Sequence, residues 1–136
     1  MKKKSLIHLF ENGIYPVKIY VVINPTDDFI KENFLNNDNS EIKLEDNSYT
    51  MAFVHGSVVI LKSDGNVGVL VSIINKNIKV DVIAHEATHV ANLIWDWIGE
   101  NEPSEEANAY LVGYAAKCIN NAIKNINYES IRDFNA

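Results

Sequence analysis

Apolar residues recur every three or four positions along residues 78–98, which is the spacing of one face of an α-helix. Asn77 precedes this segment as an N-cap residue and Gly99 follows it as a C-cap residue. The pattern therefore predicts one long amphipathic helix. Its predicted buried stripe consists of Ile83, Ala87, Val90, Ile94 and Trp97.

A second helix is predicted to begin after Pro103, with Ser104 as its N-cap. Apolar residues again keep helical spacing behind this start. They predict a buried stripe of Ala107, Tyr110, Leu111, Tyr114, Cys118 and Ala122. Cys118, the only cysteine, is interpreted as part of the core because no partner exists for an internal disulfide.

The first half of the chain contains runs rich in Val, Ile and Tyr that are separated by turn residues. Three or four strands are predicted, from residues 15–23, 49–54, 57–61 and 66–74, with the middle two paired around His55 and Gly56. A short helix is predicted at 27–35, and a polar loop at 36–47 with a hairpin limb at 41–44. Together with the two long helices, this layout predicts an α+β fold with a small, twisted, mostly antiparallel sheet.

Composition and charge narrow the class of protein. With 136 residues, 47% of them hydrophobic, residues 1–136 are predicted to form a single domain. The net charge of −6 argues against a nucleic-acid partner, and Lys2, Lys3 and Lys4 are interpreted as a solvated N-terminus. No run approaches the roughly 18 apolar residues of a membrane span, and residues 6–10 are too short for a signal peptide. A cytoplasmic location is expected.

The first predicted helix carries the sequence His85-Glu86-Ala-Thr-His89. Residues four apart lie one turn above each other, so the two histidines can bind one zinc ion while Glu86 reaches a water molecule beside it. This spacing predicts a zinc hydrolase in which Glu86 is the general base. The alternative interpretation is two solvated histidines on a helix surface. Asn92 and Asp96 share the histidine face and are candidates to orient the rings.

A catalytic zinc site needs a third protein ligand. The candidates are the carboxylates of Glu100, Glu102, Glu105 and Glu106. Glu106 lies at the edge of the second helix's apolar stripe, about 100° from Ala107, whereas Glu105 points nearly opposite. Glu106 is therefore the predicted ligand. The alternative is that a carboxylate here stabilises the helix N-terminus through the helix dipole, which fits Glu105 better.

The oxyanion that forms during peptide hydrolysis needs a donor besides the zinc. Tyr110, one turn after Glu106, is the first candidate and is predicted to be catalytic. His55, in the turn between two predicted strands, is the second. Each residue also has a simpler interpretation, Tyr110 as part of the core and His55 as an exposed turn residue.

Three segments resemble the small zinc metallopeptidases that tailed phages and prophages encode. They are His85-Glu-Ala-Thr-His-Val, the helix end Ile98-Gly99-Glu100, and Glu106-Ala-Asn-Ala-Tyr-Leu-Val-Gly-Tyr114, with a looser match at Leu9-Phe-Glu-Asn-Gly-Ile-Tyr-Pro-Val-Lys. The resemblance implies a minimal zincin-like fold, one zinc ion, and a peptide or protein substrate. In such folds a sheet edge holds the substrate, and the strand carrying residues 69–72, or its neighbour, is the expected edge.

Two other functions remain open. The run Glu106-Ala107-Asn108-Ala109-Tyr110 is similar to the Glu-Ala-Asn-x-Phe-Ala run of ImmA/IrrE-like peptidases, which implies a regulatory protease that cleaves a repressor. Non-catalytic zinc binding in a phage structural or interaction protein is the other alternative. The thermolysin-type pattern fits less well because Tyr110 stands where that pattern has Asp.

Overall fold

The computed structural model describes residues 4–44, 50–124 and 131–132. Its elements, in chain order, are β1 (Leu6–Phe10), β2 (Lys18–Ile23), α1 (Asp27–Asn33), β3 (Phe34–Asn36), β4 (Ala52–Val54), β5 (Val59–Leu61), β6 (Val67–Ile73), α2 (Val80–Ile98), α3 (Glu105–Ile123) and β7 (Ile131–Arg132). One mixed sheet and three helices make up this part of the chain, which confirms the predicted α+β class. None of its helices has the length and hydropathy needed to cross a membrane.

The sheet runs in the order β3-β5-β6-β2-β1-β7. β2 pairs with β6 in parallel, and every other pairing is antiparallel. The sheet is thus mostly antiparallel, as predicted. β4 and β5 both pair with the side of β6 that faces away from β2. β4 lies along the C-terminal end of β6, where Ala52 is opposite Ile73, and β5 lies along its N-terminal end, where Val59 is opposite Gly68.

The predicted pairing of β4 with β5 is therefore wrong. Both strands are antiparallel to β6, so they run in the same direction and cannot form a hairpin. Residues 55–58 carry the chain forward along the edge of β6 instead of reversing it. As a result, His55 and Gly56 lie at a break in this edge of the sheet.

Other strand predictions need smaller corrections. The apolar segment of β1 is a strand, although its sequence was interpreted only as too short for a signal peptide. The predicted strand 15–23 begins at Lys18, and the predicted helix 27–35 ends at Asn33, after which β3 pairs with β5. The strand predicted at 66–74 is confirmed as β6. Lys2, Lys3, Tyr49 and loop residues 45–47 lie outside the described residues.

Apolar side chains bury both faces of the sheet. One face packs against α2 and α3, where Val21 and Val71 of the sheet meet Val90 of α2 and Ala115 of α3. The other face packs against α1, where Tyr20, Phe34 and Leu70 of the sheet share one core with Phe29 of α1. Strands that are apolar on both faces must be covered twice. The sheet is therefore the middle of three layers.

α2 begins at Val80 rather than at Ile78. Its N-cap is Lys79, which makes no side-chain capping bond, so the predicted cap at Asn77 is wrong. The predicted C-cap is confirmed, because Gly99 has a positive φ of 80°. The predicted stripe is also correct except at its end, where Trp95 is buried and Trp97 is 44% exposed.

α3 begins where it was predicted to begin, and the Ser104 side chain accepts a hydrogen bond from the Ala107 backbone N–H. Its buried stripe differs from the prediction. Tyr110 is 73% exposed, whereas Ala115 and Ile119 are buried. The Asn108 face of α3 lies towards α2, where Trp95 Nε1 donates to Asn108 Oδ1 over 2.9 Å, and Tyr110 lies on a different face.

His8 is a buried polar residue in the middle of β1. Neither of its ring nitrogens has a hydrogen-bond partner among the described residues. Burial, and secondarily the charge of Lys76, lowers the pKa of His8 below its ordinary value of 6.5. The unfolded chain therefore binds a proton more readily than the folded protein does below that pH.

We expect the free energy of unfolding to fall as the pH drops below 6.5, by at most about 1.4 kcal/mol per pH unit for this one group. His8→Leu should reduce that dependence, because leucine takes up no proton. Urea unfolding of both proteins between pH 7 and pH 5, with a chelator present, measures the difference. Equal pH dependence in the two proteins would contradict the role given to His8.

Candidate metal centre

His85 and His89 lie one turn apart on the solvent side of α2, and their rings converge. Their Nε2 atoms are 3.2 Å apart, and the ring planes are inclined by 77°. The His85 side chain is 68% exposed. The helix thus brings two imidazole nitrogens to one point at the protein surface.

The separation of these nitrogens fits zinc. Zinc binds imidazole nitrogen at about 2.0–2.1 Å, and a tetrahedral angle between two such bonds places the nitrogens about 3.3–3.4 Å apart. The two Nε2 atoms are 3.2 Å apart, a hydrogen-bond distance when one of them carries a proton, and this separation is also close to the value for zinc. Imidazole nitrogen is also a ligand type that zinc prefers. The two histidines therefore fit one half of a zinc coordination sphere.

Glu86 points in a different direction from its neighbours. One residue turns a helix by about 100°, which carries the Glu86 side chain from the exposed face of α2 towards the sheet. Its side chain is only 10% exposed, and its Oε2 is 3.9 Å from His85 Nε2. Burial raises the pKa of Glu86, while the two histidines and a hydrogen bond from the Val54 backbone N–H act in the opposite direction. A buried carboxylate beside the two histidines is suited to exchange a proton.

An open cleft of about 660 Å³ lies between α2 and β4. It is lined by Glu86 and both histidines on the helix side and by residues of β4 and its flanks on the sheet side. Asn92 and Asp96 also line it, but neither forms a hydrogen bond to a histidine within the described structure. No contact in the described structure therefore supports the prediction that Asn92 and Asp96 orient the histidine rings.

β4 presents a free edge to this cleft. The backbone N–H of His55 donates to Leu70, and the carbonyl of Met51 accepts from Ile74, so both groups point towards β6. Because main-chain groups alternate along a strand, those of Ala52 and Val54 point away from β6. The expected edge at residues 69–72 is wrong, because β6 is paired on both sides. Its neighbour β4, the second choice, pairs only with β6 among the described strands, so its other edge is free.

Glu106 does not join the histidines. It is exposed and lies outside the cleft. The bond from Trp95 to Asn108 aligns the two antiparallel helices, so Glu106 lies about eight residues along the axis from His89, or about 12 Å. Within 4–44, 50–124 and 131–132, no three His, Cys, Asp or Glu side chains form a group that could hold a metal.

The other carboxylates considered as ligands also lie outside the cleft. Glu100, Glu102 and Glu105 are exposed, and Glu100 accepts a hydrogen bond from the Glu102 backbone N–H. Tyr110 is exposed as well and does not line the cleft, so the structure does not bring it to the histidines as an oxyanion donor.

His55 does line the cleft. Its Nε2 is 3.1 Å from Oδ1 of Asn36, a residue that sequence reasoning placed in a polar loop and gave no role. The contact between Val54 and Glu86 was also missed. Both contacts join segments that are distant in the sequence, and no local pattern signals them.

No protein-family model, curated protein or solved structure matches this chain. The resemblance to phage-encoded zinc metallopeptidases therefore rests on the residues that carry it, and the site is interpreted from its geometry.

Glu106→Ala tests the predicted ligand against the described arrangement. Because the carboxylate lies beyond Trp95, we expect the zinc affinity to change by less than about twofold, and Glu105→Ala to behave in the same way. Zinc titration against a competing chelator measures both variants. If Glu106→Ala lost as much zinc affinity as replacement of His85 or His89 by alanine, the start of α3 would have to move to the metal.

Proposed function

We propose that this protein is a zinc-dependent peptidase in which His85 and His89 supply two of the zinc ligands and Glu86 is the general base. Among the described residues no third His, Cys, Asp or Glu completes this ligand set. The observation that carries the proposal is the convergence of the two Nε2 atoms to 3.2 Å beside a buried carboxylate. All three side chains lie in one cleft with the free edge of a strand. A cytoplasmic location and a phage origin belong to the same proposal and rest on the sequence alone.

The cleft suits an extended peptide. A chain lying along β4 would form hydrogen bonds with the outward main-chain groups of Ala52 and with the carbonyl of Val54. The Val54 N–H donates to the Glu86 carboxylate, so a peptide bound along β4 would lie beside the general base at Val54. Main-chain recognition of this kind accepts many side-chain sequences, which favours a peptide or protein as the substrate.

Glu86 would accept a proton from the attacking water and deliver it to the departing amine. Burial raises its pKa, which makes the carboxyl group more able to hold that proton between the two steps. The Val54 N–H keeps one side of the carboxylate oriented while it does so. A bound zinc ion would supply the Lewis acidity that polarises the scissile carbonyl and acidifies water.

Burial of Glu86 also favours an enzyme over non-catalytic zinc binding. A structural zinc site closes with four protein ligands and needs no additional carboxylate between its histidines. Glu86 has a hydrogen bond from the Val54 N–H and two neighbouring imidazoles, which offset part of the cost of its burial. A general base beside the two histidines gives this carboxylate a chemical role that a structural zinc site does not need.

The purified protein is expected to bind about one zinc ion per chain. His85→Ala and His89→Ala should each lower the zinc affinity by at least about a hundredfold, since each removes one of two nitrogen ligands. Atomic emission and chelator competition measure the content and the affinity. Thr88→Ala, a change on the same exposed face, is the matched control. Unchanged zinc content in the double histidine variant would place the metal elsewhere.

Glu86→Gln separates the base from the ligands. The variant should keep its zinc, because Glu86 is not a ligand, and should lose peptide hydrolysis by about a hundredfold or more, because an amide does not accept the proton. Cleavage of a quenched-fluorescent peptide library, with and without chelator, measures the activity. Full activity in Glu86→Gln would rule out Glu86 as the general base but would not contradict the zinc site.

A further inference from the structure

His55 lies directly after β4, where its half-buried side chain lines the cleft. Its Nε2 is 3.1 Å from Oδ1 of Asn36, the last residue of β3. The two residues are 19 positions apart in the sequence. The tertiary structure therefore fixes one nitrogen of the ring and leaves the other for a different partner.

The amide of Asn36 has a defined orientation. Its Nδ2 donates to the backbone carbonyl of Glu41 over 3.2 Å and to Ser40 Oγ over 3.1 Å. Because a carbonyl oxygen only accepts, the amide nitrogen must face Glu41 and the amide oxygen must face His55. That oxygen is also an acceptor, so the proton between the two side chains belongs to His55 Nε2.

This proton defines the tautomer of the ring. A neutral imidazole carries one N–H, so with Nε2 protonated the Nδ1 atom holds a lone pair and accepts hydrogen bonds. Burial lowers the pKa of His55 from 6.5, which keeps the ring neutral at pH 7. His55 in this state has no proton to give at Nδ1 and acts there as an acceptor.

Nδ1 has no hydrogen-bond partner in the part of the chain that the structure describes. The position of His55 at the end of the free edge of β4 indicates a partner for this nitrogen. The outward main-chain groups of β4 end at Val54, the last residue of the strand. His55 is the next residue of the chain and lines the same cleft. An extended peptide that passes Val54 presents a main-chain N–H every second residue.

We propose that His55, oriented by Asn36, accepts a hydrogen bond through Nδ1 from a main-chain N–H of the bound peptide. His55 is thus a substrate-binding residue of the cleft and Asn36 is its positioning residue. This inference rests on the proposed peptidase function.

The tautomer is tested first and without a substrate. A long-range proton–nitrogen NMR spectrum of the zinc-loaded protein at pH 7 distinguishes protonated from unprotonated ring nitrogens. His55 is expected to show a protonated Nε2 and an unprotonated Nδ1, with its signals assigned by their loss in His55→Phe. A protonated Nδ1 would overturn the proposal.

Binding is tested with a tripeptide hydroxamate and with analogues of it that are methylated at one main-chain nitrogen each. The parent compound should bind His55→Phe about fivefold more weakly than wild type, the effect of about one hydrogen bond. One methylated analogue should bind both proteins with equal affinity, because it lacks the N–H concerned. His55→Asn, with an oxygen near the position of Nδ1, should recover part of the affinity.

The outcomes separate the two proposals. If the hydroxamate does not bind wild type in a zinc-dependent way, the peptidase function fails. If it binds with zinc but equally well to wild type and His55→Phe, or if every analogue keeps the same ratio, only the role of His55 is overturned. Zinc content and circular dichroism show that the variants are folded.

Discussion

The parallel pairing of β2 with β6 constrains every other element. Both strands are apolar on both faces, so Val21 and Val71 on one side and Tyr20 and Leu70 on the other must all be covered. α1 covers one face, and α2 with α3 covers the other. Since α2 follows β6 after six residues, it crosses the sheet beside the end of β6 at which β4 is paired. The cleft between α2 and β4 is a consequence of this route.

A single helical step then separates two chemical environments. His85 lies on the solvent side of α2, and Glu86, the next residue, turns towards β4. The difference in exposure places an exposed imidazole, that of His85, and a desolvated carboxylate within 3.9 Å of each other. Proximity of this kind would be difficult to obtain from two separate loops, because each loop would add its own mobility. The helix fixes it through backbone hydrogen bonds.

Sequence patterns correctly predicted the features that depend only on residues close together in the sequence. The caps at Gly99 and Ser104, the two long helices and the strand at β6 follow from spacing and from residue preference, and the histidine pair follows from the helical repeat. The predictions that failed concern features that depend on contacts with distant parts of the chain. The rotation of α3, which exposes Tyr110 and moves Glu106 away, is set by Trp95 and Asn108 across the helix pair. No periodicity within α3 contains that information.

The same distinction explains the sheet. Apolar runs bounded by turn residues mark β4 and β5 as strands, but their pairing depends on the edge of β6, which is long enough for both. A turn containing His55 and Gly56 would serve equally well in a hairpin. The contact that orients the His55 ring could not be predicted for this reason, because it comes from Asn36 of β3, on the far side of β5.

The position of the histidine pair above a completed core has a kinetic consequence. The residues beneath it, Ala87, Val90 and Ala91, pack against the sheet and α3 without using either imidazole ring. A zinc ion bound by this pair, as proposed above, would therefore enter and leave the folded protein directly from solvent, with no need for the helices to separate. Occupancy of the site would then follow the free zinc concentration around the protein on the time scale of ligand exchange rather than of unfolding.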